Sequence, residues 1–165
     1  MATQQYSTGK STLAKRFVHL TNFSVNKKAS NYVPNQATNL DNLNFDQPNN
    51  SSKWCLKQLR AEYQKMGVDF NGVFERIKDV IIKTLISVES HIVTHMKQTR
   101  HRNACFEVYG FDIILDEKLK PWLLEVNVCP SLSSSSPLDK QIKTMLISDV
   151  LQIVGFQVYD RKKHD

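Results

Sequence analysis

The feature that most constrains the fold is a pair of strand-like runs joined by a short polar connector. Residues 109–115 read YGFDIIL and residues 121–128 read PWLLEVNV, and both are rich in the branched and aromatic residues that strands favour. The connector DEKLK between them is short and polar, which is typical of an antiparallel hairpin. We therefore predict strands over 104–115 and 121–128, and their apolar character indicates that both are buried.

The predicted hairpin carries acids where a buried strand should be apolar. Side chains of a strand alternate between two faces, so Glu125 and Asn127 share one face. If residue 115 lies opposite residue 122, Asp112 falls opposite Glu125. Two neighbouring carboxylates are costly unless a proton or a cation separates them, and Mg²⁺ accepts carboxylates, an amide oxygen and nucleotide phosphates. On periodicity alone, however, a solvent-exposed face that holds no metal is the favoured alternative.

Helical periodicity and capping signals predict three helices around this hairpin. The first covers residues 53–66 and ends at Gly67, which can adopt the left-handed conformation. The second covers residues 71–97 and carries a broad apolar stripe that we expect to pack in the core. The third begins after Ser136 as its N-cap and ends at Gly155. The pattern as a whole indicates an α+β fold.

The region before the first helix is polar. Residues 16–25, RFVHLTNFSV, alternate enough to predict a short strand that runs into a loop. Residues 26–52 are rich in Asn, Ser, Gln and Pro, which is loop composition. The His, Thr and Asn side chains of residues 19–24 can bind phosphate oxygens or ribose. When this segment is read alone, a polar strand end is the favoured alternative.

Charge and composition limit the classes of partner that the chain is expected to bind. The 165-residue chain has a net charge of +6 and a pI of about 9.2, which favours an anionic partner such as a nucleotide, a nucleic acid or an acidic protein tail. Its lysines are dispersed and its aromatics lie mostly in apolar runs, which argues against nucleic acid. Lys140 and Lys143 share a face of the last helix; solvated lysines are the default interpretation, and binding of a substrate carboxylate is the alternative.

Two further features of the composition concern redox state and membranes. The cysteines Cys55, Cys105 and Cys129 have no CxxC spacing, which favours reduced thiols over a disulfide framework or a zinc site. No apolar run approaches the ~20 residues that a membrane-spanning helix needs. These observations favour a cytoplasmic protein without a membrane partner.

Three segments occur together in the order known from one family. RFVHLTNFSVNK, FEVYGFDIILDEKLKPWLLEVNVCPSL and SPLDKQIKTMLISDVLQIVGF closely resemble the tubulin-tyrosine-ligase-like family and, within it, the polyglutamylase branch. The resemblance covers residues 16–156 and favours a metal site in the hairpin over an idle exposed face. It implies the C-terminal portion of an ATP-grasp fold, in which an antiparallel sheet with the hairpin packs on helices, preceded by a disordered or truncated lead-in over 1–15 and followed by a basic tail over 157–165.

The resemblance also implies an activity and a set of site residues. The implied reaction uses ATP and Mg²⁺ to ligate free L-glutamate to glutamate side chains in tubulin tails, through an acyl-phosphate that the amino group attacks. Mg²⁺ would be held by Asp112, Glu125 and Asn127. ATP would be contacted by His19, Leu20, Thr21, Asn22 and Leu124. The incoming glutamate would lie among Phe23, which is often Tyr in the family, Ser24, Lys53 and Lys143.

One departure from the family pattern limits these expectations. The family's ATP-grasp module extends well upstream of the first motif, and residues 1–15 cannot contain that part. We therefore expect this chain alone to be a monomer with weak or no ligase activity and with exposed apolar surface that favours aggregation. The alternative is a non-catalytic fragment that binds microtubules or another partner. The expected location is the cytoskeleton, with the cilium and basal body as further candidates.

Overall fold

The computed structural model describes residues 3–38, 40, 50–98 and 105–155. Along these residues lie the helices α1 (Arg16–His19), α2 (Phe23–Asn26), α3 (Leu56–Lys65), α4 (Phe70–Met96) and α5 (Pro137–Val154), and the strands β1 (Gly110–Leu115) and β2 (Pro121–Asn127). The chain divides into two compact units, with the first part of α5 in one and its last part in the other. The first unit comprises Met1–Met66 and Ser134–Met145, and the second comprises Gly67–Ser133 and Leu146–Asp165.

The three long helices begin and end close to the residues that the sequence signals predict. Gly67 after α3 and Gly155 after α5 have φ values of 70° and 72°, the left-handed conformation that ends a helix at low steric cost for glycine. The N-cap of α5 is also confirmed, because the Asp139 N–H donates to Ser136 Oγ at 3.2 Å. These signals succeed because each depends on residues within one turn of the helix end.

The short strand predicted over residues 16–25 is wrong. The chain forms the single helical turns α1 and α2 instead, with hydrogen bonds from Leu20 N–H to Arg16 O at 2.8 Å and from Lys27 N–H to Phe23 O at 3.0 Å. Asn26 is buried, and its side-chain amide donates to the Leu20 carbonyl at 2.8 Å. No other described segment pairs with this region as a strand, so local hydrogen bonds outweigh the weak alternation of apolar residues.

The antiparallel hairpin forms as predicted, but the assumed pairing of residue 115 with residue 122 is wrong, because Leu115 lies opposite Pro121. β1 pairs antiparallel with β2, and Asp112 lies opposite Glu125. A β-bulge follows, because Ile113 pairs with Leu123 and leaves Leu124 as an extra residue on β2. The first strand begins at Gly110, opposite the last residue of β2. Residues 105–109 are not part of it, and residue 104 lies outside the described residues.

The prediction that the strands and the long helical stripe are buried is wrong for the described residues of the second unit. In α4 only Phe70 and Val73 are buried, whereas Ile86 is 62% exposed. On β2 the side chains of Trp122 and Leu124 are exposed as well. A two-stranded sheet covers only part of a helix of this length, although β2 does pack against α4. The sequence pattern reports which face is apolar, but it does not report what covers that face.

Two predictions from composition agree with the described residues. The three cysteines are free thiols, as their spacing indicates. Within the described ranges, no helix combines the length and the apolar character that a membrane crossing requires.

Candidate functional site

The hairpin of the second unit brings together the three side chains that the sequence singled out as metal ligands. Asp112 and Glu125 are direct cross-strand partners. Asn127 Nδ2 donates to Glu125 Oε1 at 3.3 Å and lies 3.5 Å from the Gly110 carbonyl oxygen. We call Asp112, Glu125 and Asn127 the carboxylate pair and its amide. Their convergence follows from the alternation of β2, which was predicted, and from the bulge, which restores the pairing of Asp112 with Glu125 after Leu115 has paired with Pro121.

The two carboxylates of the pair repel each other. Burial, a hydrogen bond with Glu125 and the negative charge of Glu125 all raise the pKa of Asp112. A raised pKa means that the pair holds a proton more tightly than an isolated aspartate does. A divalent cation would compete with that proton for the same oxygens, and both side chains are exposed, so that an ion can reach them.

The donor set fits a hard cation better than zinc. Two carboxylates and an amide oxygen are ligands that Mg²⁺ accepts, and the remaining positions of Mg²⁺ are commonly filled by water or phosphate oxygens. Among the described residues, no group of three or more His, Cys, Asp or Glu side chains could hold a metal ion, so this site would depend on the Asn127 amide as its third ligand. Ligation by Asn127 requires its Oδ1, so the amide that now donates to Glu125 would have to turn over.

The residues proposed for ATP lie in both units. In the first unit, His19 Nε2 is 2.9 Å from the Thr12 carbonyl oxygen, so this nitrogen carries the proton of the ring. Leu20, Thr21 and Asn22 follow α1 and are exposed. In the second unit, Leu124 is the extra residue of the bulge and is 58% exposed. These contacts with ATP therefore stay a prediction.

In the first unit, the two lysines proposed to bind glutamate both contact the side chain of Asp139. Lys53 Nζ lies 3.2 Å from Asp139 Oδ2, and Lys143 Nζ lies 3.9 Å from the same oxygen. We call Lys53, Lys143 and Asp139 the lysine–aspartate cluster. The Lys53 ammonium also lies over the Phe23 ring, 4.6 Å from its centroid, and Ser24 is the exposed neighbour of Phe23 on α2. Three of the four residues proposed for glutamate are thus in contact with the cluster or belong to it.

Asp139 is the residue of this cluster that the sequence reasoning missed as a site residue. Burial opposes its ionisation, but a hydrogen bond from the Ser135 N–H and the charges of Lys53 and Lys143 outweigh that effect, so the pKa of Asp139 is lowered. Its pairing with Lys143 could have been found from their spacing of four residues on one helix. Its pairing with Lys53 could not, because that contact is formed only by the tertiary fold.

A cavity of about 30 Å³ adjoins the lysine–aspartate cluster. Its walls come from the segment before α3 and from the first turns of α5, including Trp54, Cys55, Leu138 and Ile142. This volume accommodates one or two water molecules. The Lys53 side chain beside it is 36% exposed.

The sequence matches one protein family over almost its full length. The match is to the tubulin-tyrosine ligase family over residues 1–164. The chain is 44% identical over 156 residues to human tubulin monoglutamylase TTLL4, and 42% identical over 160 residues to mouse tubulin polyglutamylase TTLL5. These alignments cover 94% and 96% of this chain and 12% of each relative. Tubulin polyglutamylase ttll-4 of Caenorhabditis elegans is 41% identical over 159 residues, which is 95% of this chain and 24% of that protein.

Proposed function

Because the chain belongs to the tubulin-tyrosine ligase family, we propose that it takes part in the ATP- and Mg²⁺-dependent ligation of glutamate to glutamate side chains in tubulin tails. Its relatives are named as tubulin glutamylases, and both a monoglutamylase and a polyglutamylase are among them. The chain spans 12% of the length of those two relatives, so the activity is proposed for the full-length protein. The observation that carries the proposal is the cross-strand carboxylate pair with its amide.

The carboxylate pair supports the metal requirement of this proposal. Asp112, Glu125 and Asn127 would hold Mg²⁺, which when bound would neutralise both the acids and the phosphates of the nucleotide. The raised pKa of Asp112, caused by burial and by Glu125, supports the proposal, because a cation at the pair would relieve the repulsion between the two acids. The antiparallel pairing of β1 with β2 holds the two carboxylates opposite each other.

The first unit supplies groups suited to the substrates. His19 donates through Nε2 to the Thr12 carbonyl, so Nδ1 of the neutral ring is an acceptor that can receive a ribose hydroxyl. The ammonium groups of Lys53 and Lys143 can pair with a carboxylate of free glutamate. Lys53 is further oriented by the Phe23 ring, where the tyrosine common in the family would present a ring of similar shape.

The proposed reaction has two balanced steps. A side-chain carboxylate of the tail takes the γ-phosphoryl group of ATP, and ADP leaves. The amino group of free glutamate then attacks the activated carbonyl carbon, phosphate departs, and the nitrogen loses a proton as the isopeptide bond forms. Cationic side chains near the migrating phosphoryl group would stabilise its charge.

The test is glutamate incorporation into tubulin by the full-length protein and by its Glu125→Gln variant. We expect the variant to lose at least about 100-fold in rate, because it removes one anionic ligand of the metal. The matched control is Glu117→Gln, which changes an exposed acid in the connector of the same hairpin and should retain the wild-type rate. Unchanged incorporation by Glu125→Gln would overturn the metal assignment.

A second candidate function is non-catalytic binding to acidic tails, which the net charge of +6 favours. Co-sedimentation of the chain with microtubules, before and after removal of the tubulin tails by protease, tests this candidate. Pelleting that depends on the tails would support it, and equal pelleting with and without the tails would count against it.

A further inference from the structure

Two lysines of the first unit share a single carboxylate oxygen. The ion pairs of Lys53 and Lys143 both end on Asp139 Oδ2, so the two ammonium groups cannot be farther apart than these two distances combined. Without an anion between them, two ammonium groups at such a distance repel each other and their flexible side chains move apart. Asp139 is not among the residues to which the family resemblance gives a role.

The carboxylate of Asp139 is held firmly in place. Its Oδ2 accepts hydrogen bonds from the Ser135 N–H at 3.0 Å and from Ser135 Oγ at 3.2 Å. Its own backbone N–H donates to Ser136 Oγ at 3.2 Å. The side chain is only 12% exposed. Asp139 is therefore anchored at both its backbone and its carboxylate, which makes it a fixed anion around which two flexible lysines are ordered.

We propose that Asp139 is a positioning residue of the amino-acid site, which holds Lys53 and Lys143 together and sets the charge of the cluster. This inference rests on the proposed function. Two ammonium groups and one carboxylate leave a net charge of +1. Free glutamate carries two carboxylates and one ammonium, which leave a net charge of −1. The cluster is thus matched to a single amino acid of this charge, and Asp139 acts on it through the lysines.

The structure distinguishes this role from that of a simple helix cap. The N-cap of α5 is Ser136, and a helix that loses a capping contact loses stability without a change in substrate preference. A positioning residue instead alters the affinity for glutamate and leaves the affinity for the nucleotide unchanged. The ratio of the two affinities therefore separates the two roles.

The first experiment measures L-glutamate and ADP binding to the full-length protein by calorimetry. For Asp139→Asn we expect about tenfold weaker glutamate binding and ADP binding within twofold of the wild type. The control is Asp149→Asn, an exposed acid on the same helix, which should bind both as the wild type does. Equal weakening of both ligands, together with a lower melting temperature, would show a structural role and overturn the proposal.

The second experiment tests whether Asp139 acts through its lysine partner. On a Lys53→Met background, adding Asp139→Asn should weaken glutamate binding by only about threefold, because one of the two ammonium groups that Asp139 positions is already gone. A full tenfold effect on that background would contradict the proposal. If wild-type protein does not ligate glutamate to tubulin, the proposed function fails. The positioning role fails independently if the wild type does not bind glutamate, or if Asp139→Asn binds it unchanged.

Discussion

The lysine–aspartate cluster of the first unit and the carboxylate pair of the second handle charge in opposite ways. In the cluster, Asp139 meets two ammonium groups, and its pKa is lowered by a backbone hydrogen bond and by those charges against the effect of burial. In the pair, Asp112 meets another acid, and burial together with Glu125 raises its pKa. In the first site, lysines of the same chain more than neutralise the carboxylate. In the second, the nearest charged partner of the carboxylate is another acid, which favours uptake of a proton or a cation.

Of the three comparisons between the two sites, the largest expected effect tests whether the lysine–aspartate cluster binds a substrate. Lys143→Met in the full-length protein should lower kcat/KM for glutamate by about 30-fold, since a charge-assisted contact contributes roughly 2 kcal/mol. Lys140→Met is the matched control, because Lys140 is an exposed lysine three residues earlier on α5. Steady-state kinetics with varied glutamate measures both. Equal losses in the two variants would mean that the cluster has no special part in binding glutamate.

A smaller effect tests whether the carboxylate pair takes a cation. Millimolar Mg²⁺ should raise the melting temperature of the chain by about 2–4 °C, which corresponds to roughly 1 kcal/mol of linked binding. Asp112→Asn should abolish this increase, because it removes one of the two carboxylates. Thermal denaturation with and without Mg²⁺ measures the shift, and Glu117→Gln, at an exposed acid in the connector, serves as the control. A Mg²⁺ response that persists in Asp112→Asn would place the ion elsewhere.

The smallest effect compares how the two aspartates respond to pH. Asp139 has a lowered pKa in the folded state, so its stabilisation is present above its unfolded value of about 3.9 and is lost as the pH falls through the folded pKa. Asp112 has a raised pKa, so its destabilisation is present above the folded pKa and disappears as the pH falls towards the unfolded value.

Melting curves between pH 3 and pH 7 separate these two signs. Near neutral pH without metal, Asp112→Asn should melt about 1 °C higher than wild type, since an exposed like-charge pair costs only a few tenths of a kcal/mol after solvent screening. Asp139→Asn should melt lower than wild type near neutral pH, and this difference should shrink below about pH 4. The comparison between the two sites fails if both variants shift in the same direction.

The sequence predicted the carboxylate pair better than it predicted the cluster, and the reason is the range of the contacts. Alternation is a local property, and it predicted that Glu125 and Asn127 share a face. The assumed pairing of residue 115 with residue 122 was wrong by one residue, and the bulge compensates for that error, so that Asp112 still lies opposite Glu125. The same local rules located the ends of α3 and α5. They failed at residue 124, because nothing in the local pattern marks the extra residue of a bulge, and over residues 16–25, where a weak alternation formed helical turns instead.

The sequence analysis did not identify Asp139 as a site residue, because its contact with Lys53 forms only in the tertiary structure. Lys53 and Lys143 were named through the family resemblance, yet the residue that joins them was seen only as a favourable acid at the start of a helix. The burial of the strands and of the stripe on α4 was overestimated for a related reason. Apolar spacing identifies a face that prefers to be covered, and Ile86 shows that the described residues do not supply the cover.

The bulge at Leu124 has a consequence for how the acids come to face each other. A one-residue slip of β2 would place Asp112 opposite a neighbour of Glu125 and move the two carboxylates apart. A bulge next to this pair opposes such a slip, because moving the register would require the extra residue to move as well. The pairing of the strands therefore keeps the two carboxylates opposite each other in spite of their repulsion. On the proposed assignment of Mg²⁺ to this pair, strand pairing brings the carboxylates together before the ion binds.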